Sequence, residues 1–177
     1  MTRIAIVTDS VACVPLEEAN RHSIQVIPVR VQVGSMVYED SVLDLPQAAV
    51  RRLQEEPAID TTPWPPEHYC RTYLKLGQTA DHIVHVVAFS RFTSTLELAR
   101  MGAAMAREQE PRLSVEIVDS GATGMAQGFV AMAAARKAAS GAGIDSVLLS
   151  AEQARNSVWS VFALQSLAYL ARTGRVG

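Results

Sequence analysis

One repeated feature constrains this chain more than any other. Short apolar runs, rich in β-branched residues, stop on Asp, Ser or Thr, and stretches with helical spacing lie between them. Residues 3–8 read RIAIVT and run into Asp9-Ser10; residues 82–89 read HIVHVVAF and run into Ser90; residues 115–118 run into Asp119-Ser120. A strand with one wet face alternates apolar and polar side chains, so continuous runs this short suit strands covered on both faces. Over residues 95–108, Leu96, Ala99, Ala103 and Ala106 fall on one helical stripe, and residues 123–139 form a second helical stretch of small side chains. Strands alternating with such helices predict a three-layer α/β/α fold around a mainly parallel sheet.

The remaining segments fit that frame. Pro15 opens a helix over 16–22, and residues 24–33 (IQVIPVRVQV) read as a second strand that Pro28 confines to an edge or a bulge. Residues 36–40 extend it as a hairpin. A helix is expected over 45–55 with Asp44 near its cap, a Pro-rich loop over 57–66, and a helix over 67–76 closed by Gly77. Further helices are expected over 146–156 and 166–172, with a strand over 158–163.

Composition removes several function classes. The net charge is −2 and the pI about 6.1, so no basic surface invites nucleic acid. Two cysteines, Cys13 and Cys70, fit a reducing cytoplasm better than a disulfide framework. The opening MTRIAIVTDS lacks the layout of a signal peptide, and no run reaches the ~18 apolar residues of a membrane helix. His82 and His85 lie three apart on a strand and face opposite sides, which is not metal spacing. Gly121, Gly124 and Gly128 do not form the dinucleotide fingerprint and read as close-packing positions.

In open parallel sheets, ligands sit at the carboxyl ends of the strands. Here that rim collects Asp9, Ser10, Ser90, Thr93, Ser94, Thr95, Asp119 and Ser120, with Thr61 and Thr62 on a loop leading into a helix. Hydroxyls and helix N-termini suit a carboxylate or phosphate. The same residue types are ordinary helix caps, so each is either a cap or a ligand contact.

Taken in order, several segments resemble the DegV family. They are VTDS at 7–10; Pro28-Val29 with Tyr38 and Asp40; Thr61-Thr62 followed by Pro66, Glu67, Tyr69 and Tyr73; residues 90–95; Val118-Asp119-Ser120; and Leu167-Ala168-Tyr169-Leu170 with Gly174-Arg175-Val176. No single motif is specific; the ordered set is. The resemblance implies a bacterial, cytoplasmic, non-catalytic protein that needs no cofactor. It would bind one long-chain fatty acid, the tail in an apolar tunnel and the carboxylate on loop hydroxyls. By position those hydroxyls are Thr61 or Thr62 with Ser90, and Thr93 nearby; Asp9, Ser10, Ser94, Thr95, Asp119, Ser120 and Arg175 form the surrounding rim. A fatty acid kinase is the implied partner.

The sequence departs from the family in places. Pro63 and Trp64 stand where the family has Gln-Pro, Phe89 stands in place of a Ser, and Ser94 replaces a Gly, where a positive φ would be harder to reach. Residues 1–155 resemble the family's first domain, and 156–177 the start of a second whose remainder is absent from this sequence. Exposed apolar residues in that last segment would favour a homodimer. Two other readings stay open: a small phosphotransferase or hydrolase using Asp9 and Asp119, and a degenerate interaction module without a ligand.

Overall fold

A computed structural model describes residues 3–40, 59–172 and 174. Strand β1 (Ile4–Asp9) leads through a 3-10 turn at Ser10–Ala12 to helix α1 (Leu16–Arg21). Strands β2 (Ile24–Ile27), β3 (Val29–Val33), β4 (Met36–Asp40) and β5 (Ile59–Asp60) follow. Next come α2 (Pro66–Gly77), β6 (His82–Val87), α3 (Thr95–Gln109), β7 (Ser114–Asp119), α4 (Met125–Ala139), α5 (Ile144–Arg155) and α6 (Ala168–Arg172).

The main sheet is four-stranded and parallel, in the order β2-β1-β6-β7. Its pleat sends alternate side chains to two separate cores. Ile6, Val84 and Val86 pack against Val130, Ala131, Ala134 and Ala135 of α4 and Val147 and Ala151 of α5. Val7, Ile83 and Val87 pack on the other face, against Tyr69 and Tyr73 of α2 and Leu96, Ala99 and Ala106 of α3. Both faces are therefore dry, which explains the unbroken apolar runs. A fully buried valine such as Val84 contributes about 1.5–3 kcal/mol to this arrangement. The expected three-layer α/β/α fold is what forms.

Small residues let the layers approach. A Cβ on Gly128 would lie 2.6 Å from the Ala12 carbonyl, so α4 sits directly on the 3-10 turn after β1. Gly121 and Gly124 serve differently from the packing role expected of them: both turn the chain at φ +63° between β7 and α4.

The structure corrects four further expectations. The single strand over 24–33 breaks at Pro28, which offers no N–H to a ladder. Its first half joins the parallel sheet; its second half founds a separate antiparallel sheet, β4-β3-β5. Part of the loop over 57–66 is β5, paired with Gln32 and Val33. Gly77 is no left-handed cap: it ends α2 beside Leu113, where a Cβ would stand 2.9 Å from the leucine Cδ2. Residues 158–163 form no strand, and Trp159, Val161 and Phe162 project from the surface. The helix expected over 45–55 and the Asp44 cap lie outside the described residues.

Candidate functional site

Where β1 ends, at the carboxyl edge of the parallel sheet, Asp9 is buried and Ser10 faces the smaller sheet. The Ser10 hydroxyl donates to Asp40 Oδ2 (2.8 Å) and accepts from the Val29 N–H (3.0 Å). One side chain thus pins the end of β1 to the break between β2 and β3 and to the end of β4. On the other side of that break, the Trp64 indole N–H donates to the Pro28 carbonyl at 2.6 Å. Trp64 also stacks on His68, with ring centroids 4.3 Å apart.

These ties leave a cavity of about 370 Å³ between the sheet edge, the antiparallel sheet and the first turns of α2 and α3. Small-molecule sites span roughly 300–1,000 Å³. Its polar side chains include Asp9, Thr61, Tyr69, Thr93, Thr95 and Thr123. Ile27, Val31, Phe89, Phe92 and Leu170 supply apolar wall. Trp64 is part of the wall and does not fill the space.

At the start of α3, Thr93 and Thr95 share a hydrogen bond between hydroxyls (2.8 Å), and the Thr95 N–H donates to Thr93 Oγ1 (3.2 Å). The Thr95 side chain also bonds Tyr69, whose phenol stays protonated. Burial pushes its pKa up to about 12, helped by the charge of Asp9 close by. Burial likewise raises Asp9 to about 6, although Gln127 and the backbone amides of Ala88, Val11 and Ala12 favour its charged form. Asp9 Oδ1 is buried with no hydrogen-bond partner.

Other expected rim residues are engaged elsewhere. Thr62 bonds Asp60 Oδ1 through both its N–H (2.9 Å) and its hydroxyl (2.5 Å), and it does not line the cavity. Ser90 is half-buried and also outside the cavity lining. Ser94 is exposed at the α3 cap, at φ −82°, so no positive φ is demanded where the family carries Gly. Asp119 accepts the Gly121 N–H at 2.9 Å, and the Ser120 hydroxyl donates to the Ala122 carbonyl at 2.9 Å. Both residues hold the turn into α4. Arg175 lies outside the described residues.

His85 is fully buried, its Nδ1 2.7 Å from the Tyr73 hydroxyl, and burial lowers its pKa to about 3. Among the described residues, no group of His, Cys, Asp and Glu is placed to hold a metal ion. No helix among them is long and apolar enough to cross a membrane. The reading of the sequence missed Gln127, Thr123 and the reach of Tyr69. Tyr69 was visible only through its place in the family pattern, on the helix that follows the Pro-rich loop.

A family model described as an uncharacterised protein of the DegV family matches residues 3–177. The chain belongs to the DegV family. A DegV domain-containing protein of Streptomyces coelicolor is 31% identical over 98% of the chain. A structure named for fatty acid binding of a DegV family protein from Thermus thermophilus matches 99% of it, at a TM-score of 0.81 and 26% identity. DegV of Bacillus subtilis, named a fatty acid binding protein, shares the fold at a TM-score of 0.81 and 24% identity. The chain spans 60% of the Streptomyces relative and 61% of each of the two DegV structures.

Proposed function

We propose that this DegV chain binds a long-chain fatty acid in the cavity at the carboxyl edge of its parallel sheet. The observation that carries the reading is that cavity: apolar wall, with a cluster of hydroxyls at the start of α3. The 26% identical Thermus relative, named for fatty acid binding, supports it. Each methylene removed from water contributes about 0.8 kcal/mol, so the tail supplies most of the affinity. The hydroxyls set the orientation of the head. Of the side chains expected to hold it, Thr61 and Thr93 line the space, and Thr95 joins them.

The protein is a carrier in this reading, not a catalyst. The competing phosphotransferase reading takes Asp9 and Asp119 as its carboxylates, but Asp119 accepts the Gly121 N–H in the turn to α4 and does not line the cavity with Asp9. The implied partner is a fatty acid kinase that receives the bound carboxylate, and the implied compartment is the bacterial cytoplasm. Residues 156–177 would begin a second unit. Trp159 and Val161, 86% and 93% exposed, give either such a unit or a second copy an apolar surface to cover.

Native mass spectrometry of the bacterially expressed chain is expected to show a co-purified palmitate-like or oleate-like acid. Added oleate is expected to raise the melting temperature. A chain that carries no lipid and shows no thermal shift with oleate overturns the reading.

A further inference from the structure

The hydroxyls expected to hold the head group include Ser90 and Thr62, and neither lines the cavity. Tyr69 does, from the first turn of α2. Tyr73, one turn further along the same helix, makes the contrast. It is fully buried, does not line the cavity, and lies with its hydroxyl 2.7 Å from His85 Nδ1. Its oxygen belongs to the core, whereas that of Tyr69 ends a row of hydroxyls. Thr93 and Thr95 share one bond in that row, and Thr95 and Tyr69 share the next. Backbone N–H groups enter at both ends: that of Thr95 onto Thr93 Oγ1, and that of Trp64 onto the phenol oxygen.

The row holds one proton more than it can use. Each hydroxyl carries a single O–H, and the two bonds that link the three of them consume two protons. One O–H remains, and among the described residues no group accepts it. Asp9 acts on Tyr69 as a nearby charge, without a hydrogen bond to it. The spare proton belongs at one end of the row, on Thr93 or Tyr69, and both line the cavity. Two considerations place it on Tyr69. A phenol, with an ordinary pKa of about 10, is far more acidic than an alkyl hydroxyl and is the better donor to an anion. Donation running from Thr93 through Thr95 to Tyr69 also polarises each bond in the same sense, and the Trp64 N–H adds to it at the phenol oxygen. Burial keeps the phenol protonated, so the proton is there to donate.

We propose that Tyr69 is a head-group contact: its phenol O–H, at the end of the Thr93, Thr95 and Tyr69 row, donates to the carboxylate of the bound lipid and takes the place expected of Ser90. No covalent bond forms or breaks, and no proton changes owner. Arg30 is the cation in the same wall. Its charge attracts an anion, and the phenol fixes where the anion's oxygen sits. This rests on the fatty-acid reading above and adds to it a residue that selects a charged acceptor over a neutral one, because a hydrogen bond to an ionised group is about twice as strong.

The test is Tyr69→Phe in the whole chain, which removes one oxygen and keeps the ring. Oleate and oleyl alcohol serve as paired probes, below their aggregation limits. The variant should weaken oleate binding about tenfold to a hundredfold, and oleyl alcohol binding about fivefold or less, the difference between a charged and a neutral acceptor. Tyr73→Phe makes the same chemical change one turn away, in the core, and should leave both Kd values as they are. A second readout needs no substitution. In a chain with isotope-labelled tyrosine Cζ carbons, one tyrosine resonance should shift when oleate is added. A Tyr69→Phe loss no larger for oleate than for oleyl alcohol, or an equal oleate loss in Tyr73→Phe, overturns the role of Tyr69 and leaves the lipid reading standing. If Tyr69→Phe does not fold, the labelled chain decides, and oleate binding without any tyrosine shift overturns the role. Failure of the unaltered chain to bind either probe sinks the lipid reading, and this contact with it.

Discussion

At the scale of single residues, Asp9 also couples stability to pH. Its ordinary value is 3.8 and burial raises it to about 6 in the folded chain. The native state thus holds the proton more tightly than the unfolded chain does. Stability from this group is complete below about pH 4, falls as pH rises towards 6, and stays low above it. The difference amounts to about 3 kcal/mol as an upper figure, from a shift of roughly two pH units. Asp9→Asn removes the charge, so the variant is expected to melt higher than the unaltered chain at pH 8 and alike at pH 4. Thermal melts at the two pH values check this. A variant that loses stability equally at both pH values would place Asp9 in a purely structural bond. Ser10 makes the opposite case, because its hydroxyl is spent on the scaffold. Ser10→Ala leaves the Val29 N–H and Asp40 without that partner, and should cost about 1–3 kcal/mol in denaturant titrations.

At the scale of elements, helices α2 and α3 set the position of Tyr69, and a glycine sets the helices. A Cβ on Gly102 would stand 2.6 Å from the Tyr69 Cβ and 2.7 Å from the Pro66 carbonyl. The carbonyl is backbone and cannot swing aside. Gly102→Ala is expected to cost about 1–3 kcal/mol by overpacking and, by moving Tyr69, to weaken oleate binding. An unchanged melting temperature would show that the helices part freely. The sequence made most of these elements legible because β6, with both faces buried, has to be a continuous apolar run. It hid others for physical reasons. Residues 24–33 carry one unbroken β-forming pattern, and a single missing N–H at Pro28 sends its halves to different sheets. Residues 158–163 have strand-like composition but join neither sheet; Ser160 instead bonds the Thr123 backbone through its side chain. The hydroxyls at strand ends were visible as a class. Which of them face the cavity was not, because Thr61 and Thr62 are adjacent in sequence and differ only in that Thr62 turns back onto Asp60.

At the scale of the whole molecule, the sheet divides the chain into two halves with different duties. The core under α4 and α5 is built from aliphatic and small side chains, several of them fully buried, and it takes almost no part in the cavity. The opposite half carries Tyr69, Trp64 and the β4-β3-β5 sheet, which line it. A ligand in the cavity stabilises the chain by mass action, about 2.7 kcal/mol at a hundredfold excess over Kd. Segments that open without global unfolding gain protection only if the ligand touches them. Saturating oleate is therefore expected to slow amide exchange in β3, the loop at Thr61 and the first turns of α2 and α3. Exchange in α4 and α5 should change only where it already proceeds through global unfolding. Exchange mass spectrometry with and without oleate reads both halves at once. Protection confined to α4 and α5 would put the lipid on the wrong face of the sheet. Protection spread evenly over the chain would mean that the two halves open together, and that the cavity is held by the whole fold and not by the loops that frame it.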